Sequence, residues 1–251
     1  MVMGLDVFKR FFADFRDCYV LIGGSACDVY FADLELSFRV THDLDMILCV
    51  EALTSAFFAR FWEFIRVGGY ENRQKSDGHR QFYRFTRPTR VGYPAMLELF
   101  SRKADFLPDT VTGHLTPIPA GEEVSSLSGI LLDQMYYDFV MANRREIDGV
   151  TILSPIALIV LKAVAWLDLT NQRAAGDRHA YSKDISKHKN DIARIAATLG
   201  AHDYGLPNEI KAKMREFMVR YKAEPLDSSA LGVALNADDI KTRLFTCMGI
   251  A

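Results

Sequence analysis

The segment Asp43-Leu44-Asp45-Met46-Ile47-Leu48-Cys49-Val50 constrains the fold of this chain more than any other. It is short, apolar and free of helical periodicity, so it reads as a buried strand, yet it opens with two carboxylates. Residues i and i+2 of a strand point to the same face. Asp43 and Asp45 therefore stand side by side and repel each other unless a cation lies between them or one holds a proton. A hard divalent ion such as Mg²⁺, bound by one or two carboxylates together with substrate phosphates, suits that pair.

A second acid sits in the same kind of setting. Glu98 interrupts the apolar run Met96-Leu97-Glu98-Leu99-Phe100. If its strand lies beside that of Asp43 and Asp45, three carboxylates converge, enough to hold two Mg²⁺ ions for attack on a phosphate. The alternative is a half-buried strand with Glu98 facing solvent. Upstream, Tyr19 to Ile22 reads as a strand and Ala26 to Ala32 as a helix of small residues, with Gly23-Gly24-Ser25 between them. Glycines there allow close approach of backbone to a ligand, and the helix N-terminus offers N–H groups to an anion. Ser25 would cap the helix or donate to a phosphate. The pattern is neither a GK[ST] phosphate loop nor GxGxxG.

The rest of the chain divides by its periodicity. Leu5–Asp17 and Thr54–Arg66 read as helices, and 80–86 and 94–102 as strands separated by turn residues. A Pro/Gly-rich stretch, Leu107 to Gly121, marks the boundary expected between a core of residues 1–121 and a mostly helical region of residues 122–251. Helices are expected over Ser128–Asn143, Pro155–Leu169, Ser182–Leu199 and Pro207–Tyr221, the second opened by Ser154-Pro155. The last thirty residues are weakly patterned. The expected class is α/β (α+β), a short mixed sheet flanked by helices with a helical C-terminal region.

Charge narrows the function. With 30 basic and 32 acidic residues, a uniformly basic coat is excluded. Between Asn171 and Lys222, however, eleven bases face six acids, which suits nucleotide phosphates or RNA, or else simply solvated helix faces. Lys162 interrupts an apolar helix and should meet an anion there, or reach solvent from the helix edge. Asp184, Lys187, His188 and Asp191 share a helical stripe, with Lys187 and Asp191 spaced to pair. No apolar run spans a bilayer comfortably, and Cys18, Cys27, Cys49 and Cys247 lack metal-binding spacing. Reduced buried thiols in a cytoplasmic protein with no membrane contact are expected.

Taken together, Gly23-Gly24-Ser25-Ala26 and Arg39-Val40-Thr41-His42-Asp43-Leu44-Asp45 resemble the nucleotidyltransferase (polymerase beta-like) superfamily. Within it they are closest to the bacterial AbiEii-type group, whose patterns are GG[ST]A and R-x-T-x-D-[ILV]-D. The second half is similar more loosely, through Lys162 and through Lys187-His188-Lys189-Asn190-Asp191, where His188 replaces the first Asp of an [RK]-D-x-x-D pattern. The resemblance implies transfer of a nucleotidyl group from an NTP to RNA or tRNA, protein or a small molecule. Asp43, Asp45 and Glu98 would bind two Mg²⁺ ions, with Glu98 helping to deprotonate the acceptor. Gly23, Gly24, Ser25, Arg39 and Thr41 would hold the nucleotide, Lys162 would neutralise the triphosphate, and Asp191 would order the helical side of the cleft. It also implies the toxin of a toxin–antitoxin pair, with an antitoxin protein as partner. The rival class is a non-catalytic nucleotide-binding or protein-interaction module on the same fold.

Overall fold

The computed structural model describes residues 2–72, 82–100, 133–177 and 181–250. The expected boundary at 121/122, the Pro/Gly-rich stretch before it and the first turn of the helix expected from Ser128 lie outside these residues. The described residues form two compact units that divide after Ser154. Among these residues the fold is mixed α and β, with strands in the first unit and helices alone in the second.

The first unit is built on a seven-stranded mixed sheet of order β3-β4-β5-β2-β1-β7-β6. Its strands are β1 (Tyr19–Leu21), β2 (Asp43–Leu48), β3 (Glu71–Asn72), β4 (Phe82–Thr86), β5 (Met96–Phe100), β6 (Arg144–Ile147) and β7 (Val150–Leu153). β2 runs parallel to β5, and β1 parallel to β7; the remaining pairs are antiparallel. The helices of this unit are α1 (Leu5–Phe11), α2 (Gly23–Asp33), α3 (Ser55–Gly68) and α4 (Gln134–Ala142).

Local chemistry sets several of these boundaries. Thr54 caps α3 by accepting from the Phe57 amide (3.2 Å), and Gly69 ends it in the left-handed conformation at φ 64°. α1 is shorter than the expected Leu5–Asp17. After Phe11 the chain tightens into three-residue turns, Phe15 N–H to Phe12 C=O and Cys18 N–H to Phe15 C=O (3.0 Å each). Asp14 and Asp17 sit where the negative helix end would be, which disfavours continuing the helix.

Period-two alternation sorts the sheet into two faces. Leu44, Met46, Leu48, Tyr19, Leu97, Leu99 and Phe85 share one face and are buried. An aromatic layer covers that face. Phe8 and Phe12 of the first helix and its C-cap lie 5.1 and 6.3 Å from the Tyr19 ring, and Phe61 of α3 lies 5.4 Å from Phe85. Asp43, Asp45, Glu98 and Arg84 stand on the opposite face.

The hairpin β6–β7 corrects the expected organisation. Residues 134–153 belong to the sheet unit, not to the helical region, because β7 pairs with β1 in the middle of the sheet. Its turn is Asp148-Gly149, with both residues at positive φ (49° and 74°), the geometry two-residue hairpins prefer.

The second unit contains α5 (Pro155–Ala174), α6 (Ser182–Thr198), α7 (Asn208–Ala223), α8 (Ser228–Leu231) and α9 (Ala237–Met248). α5 is buried nearly all round, as an almost uniformly apolar helix must be. Trp166 packs edge-on against Phe217 and Tyr221 of α7, at 5.6 and 5.7 Å. α9 falls in the weakly patterned tail. Its Ile240, Leu244, Cys247 and Met248 nevertheless make one buried stripe, opened by an Asn236 cap on the Asp239 amide (2.9 Å). Among the described residues no helix is long and apolar enough to cross a membrane. All four cysteines are buried and none forms a disulfide.

Candidate functional site

β2 and β5 bring the acids together. Their parallel register places Asp45 directly opposite Glu98 and Asp43 opposite Met96. Leu44 points into the aromatic layer, so Asp43 and Asp45 emerge half-buried on the other face, flanking a Glu98 that is 7% exposed. Burial pushes the Glu98 carboxyl above its ordinary value, and the Asp43 charge pushes it further. The Arg84 guanidinium opposes this, as does a hydrogen bond with Asp45. Two carboxyls within hydrogen-bonding reach require a shared proton or a cation.

The turn after β1 delivers the start of α2 to the same place. Gly23 adopts φ +64°, and a Cβ built on it would overlap the Asp45 carboxylate. Only glycine lets Asp45 lie against this turn. Backbone pairing continues beside it, the Ile22 amide donating to the Asp45 carbonyl at 2.9 Å. The first intrahelical bond runs from the Ala26 amide to Ile22 C=O (3.2 Å), so the amides of Gly23, Gly24 and Ser25 precede the helical ladder. A Cβ on Gly24 would meet Thr41 Oγ1 at 2.7 Å and Arg39 Nη2 at 3.4 Å. One helix start therefore gathers Gly23, Gly24, Arg39, Thr41 and Asp45, a combination of amide donors, a guanidinium and a hydroxyl that suits an anion next to the acids.

Ser25 is placed differently from the expectation. It is fully buried, and its hydroxyl donates to Ile22 C=O at 3.0 Å. Ile22 occupies the cap position. The Ser25 side chain thus braces the turn, which leaves the backbone amide as the only group Ser25 could offer an anion.

Lys162 and Asp191 are also placed differently. They meet each other, Nζ to Oδ2 at 2.8 Å, with side chains 6% and 1% exposed. Asp191 takes its cation from α5 across the helix interface, not from Lys187 of its own helix, which is exposed. Each buried charge thus has its counter-ion inside the helical unit, and neither needs a triphosphate to account for its burial. The local excess of bases is likewise moderated by pairing: Lys189 with Glu224 (3.1 Å), Lys211 with Asp203 (3.0 Å) and Lys213 with Glu216 (2.8 Å).

Two residues of the site unit escape the sequence reading. Arg84, on β4, stands opposite Glu98 and forms an ion pair with it. Asp28 is buried on α2 and accepts from the Val2 amide at 2.7 Å, pinning the N-terminal segment. The signal for Arg84 was an arginine within an apolar strand next to the Glu98 strand; for Asp28 it was a single acid in a small-residue helix.

The oxygen-only donor set of Asp43, Asp45 and Glu98 fits Mg²⁺ in chemistry, and their crowding fits a cation between them. Among the described residues, no group of three or more His, Cys, Asp or Glu is arranged to hold a metal ion as it stands. Glu98 is engaged by Arg84 instead. Comparison with known protein families and with curated proteins returns no match for this chain.

The glycine turn yields a direct test. Gly23→Ala places an L-residue in the left-handed region, costing about 1–2 kcal/mol in backbone energy alone, and also displaces the Asp45 carboxylate. The melting temperature should fall by several degrees. Ala at the turn position Gly149, which is half-buried but whose Cβ would meet nothing within 4 Å, bears only the backbone cost and should fall less. Equal losses would show that the Asp45 contact adds nothing.

Proposed function

We propose that the first unit is a Mg²⁺-dependent nucleotidyltransferase core. The observation that carries this reading is the Asp45–Glu98 register on adjacent parallel strands, with Asp43 on the same face and Asp45 against the Gly23-Gly24 helix start. Cation-binding acids and an anion-binding helix N-terminus then adjoin, as a metal–triphosphate substrate requires. The resemblance of GGSA and RVTHDLD to the nucleotidyltransferase patterns supports the same reading.

Asp43 and Asp45 would hold the cation, with Glu98 joining them. A divalent ion bound there would supply charge neutralisation for the transferring phosphoryl group and acidify the acceptor hydroxyl. The chain's own contribution is positional. The amides of residues 23–25 and the Arg39 guanidinium orient phosphate oxygens, and the Thr41 hydroxyl fills the space beside Gly24. Glu98, held above its ordinary pKa by burial, is placed to accept the acceptor's proton once its repulsion from Asp43 is relieved.

The Lys162–Asp191 pair leaves the triphosphate to Arg39 and the helix start in this proposal. RNA or tRNA, protein and small molecules all stay open as acceptors, and an antitoxin partner stays a corollary of the family resemblance. The Arg84–Glu98 ion pair favours a second reading, a nucleotide-binding module whose third carboxylate is permanently engaged.

The deciding experiment offers α-labelled ATP, GTP, CTP and UTP with Mg²⁺ to the full chain and to total RNA, protein and small-molecule fractions. Label transferred by the wild type and absent from Asp43→Ala/Asp45→Ala establishes the enzyme. Mg²⁺-dependent NTP binding without transfer to any fraction supports the module. Absence of NTP binding ends both.

A further inference from the structure

We propose that Arg84 is a built-in counter-cation for the carboxylate cluster, so that a divalent ion engages Glu98 only by displacing the Arg84 guanidinium. This rests on the reading of the cluster as a cation site.

The geometry is a row across three neighbouring strands. Arg84 on β4, Glu98 on β5 and Asp45 on β2 are consecutive cross-strand partners on one face of the sheet. Arg84 Nε donates to Glu98 Oε1 at 2.5 Å, and Nη2 pairs with the same oxygen. The Glu98 side chain is 10% exposed and that of Arg84 30%. A carboxylate this buried is costly without a cation, and the chain supplies one from the adjacent strand. Asp43 and Asp45, on the far side of Glu98, are half-buried and open to solvent.

Arg84 thereby offsets the Glu98 charge when no metal is bound and competes with the metal for the same carboxylate. The displaced guanidinium needs a new anion, and a triphosphate arriving at the adjacent helix start provides it. Cation and nucleotide should then bind cooperatively, with the arginine exchanging one acid partner for the other. A positive charge serving only to hold the strands together would produce no such coupling.

The test is Mn²⁺ binding to the full chain, followed by loss of the free-ion electron paramagnetic resonance signal, with and without ATP, the loss in a protein-free solution of the same ATP being subtracted. Arg84→Met should bind Mn²⁺ about tenfold more tightly than wild type without ATP, the scale of one charge-assisted hydrogen bond removed from the competition. The tightening produced by ATP should shrink in the same variant. Arg84→Lys, which keeps the charge on a single donor group, should gain less; it carries the test if Arg84→Met melts below the assay temperature. Adding Asp45→Asn to Arg84→Met should erase the gain. If ATP-dependent Mn²⁺ binding is present in the wild type and neither variant gains affinity, Arg84 is not a competitor, and the inference fails while the cation site stands. A gain that survives Asp45→Asn places the ion elsewhere and also overturns the inference. If wild type and variants bind no Mn²⁺ under either condition, the cation-site reading fails and takes the inference with it.

Discussion

Asp45→Asn is expected to lower the proposed nucleotidyl transfer by about a thousandfold or more, equivalent to roughly 4 kcal/mol of transition-state stabilisation, while leaving the melting temperature unchanged or higher. The two effects have opposite signs for one physical reason. Asp45 faces Glu98 across β2 and β5, with Asp43 next to it on the same face. Three acids at one place repel, and the raised pKa of Glu98 records part of that cost. An amide at position 45 has nearly the shape of the carboxylate, carries no charge and can donate to Glu98. It relieves the repulsion and still fits beside Gly23. What it cannot do is bind a hard cation as an anion. A carboxylate kept for structure would behave otherwise, because its loss would lower stability. Steady-state transfer of labelled nucleotide, measured beside a thermal melt in Mg²⁺-free buffer, separates the cases. Wild-type turnover in Asp45→Asn would remove the metal-dependent mechanism.

The residues of this row differ in how far the sequence could disclose them. Asp43, Asp45 and Glu98 were legible because each is an acid in a short apolar strand, where a charge is anomalous, and because period two puts the aspartates on one face. That Glu98 would lie beside them required only that two such strands be neighbours in a mixed sheet. Arg84 was not legible, because its meaning depends on the register of β4 against β5, and a shift of one residue would turn it to the aromatic face. The β6–β7 hairpin carried the Asp148-Gly149 turn signal, but its first strand begins Arg144-Arg145-Glu146 and lacks an apolar alternation. α9 was obscured by the polar residues around Ile240, Leu244, Cys247 and Met248, though these four have helical spacing. Ser25 shows a different limit. Its residue type suits a cap, a phosphate ligand or a brace equally, and only the backbone geometry at Ile22 selects the last.

The other large effect concerns the helical unit. Lys162→Ala should cost about 3–5 kcal/mol, because it leaves the Asp191 carboxylate buried without its cation. The cost should depend on the partner, not on the lysine itself. Asp191→Ala should be comparably destabilising, since it strands the ammonium in an apolar helix. Lys162→Met/Asp191→Leu should recover most of the loss, as apolar side chains of similar volume often replace a buried ion pair at little cost or with a gain. The local surroundings favour that recovery, for Leu158, Ile159, Leu161 and Trp166 on α5 and Ile192 and Ile195 on α6 are all buried. Sequence alone offered Lys187 as the partner, four residues from Asp191 on its own helix, and Lys187→Ala should change stability by no more than about 0.5 kcal/mol. Denaturant unfolding of the four variants gives the stabilities, and Lys162→Met and Asp191→Leu made singly close the double-mutant cycle that gives the coupling energy. The same variants decide whether this pair has any part in the chemistry. If the doubly apolar variant regains stability and transfers label at the wild-type rate, Lys162 serves the fold alone. If it regains stability and loses transfer, a charge at one of these positions reaches the substrate, and the role first read for Lys162 returns.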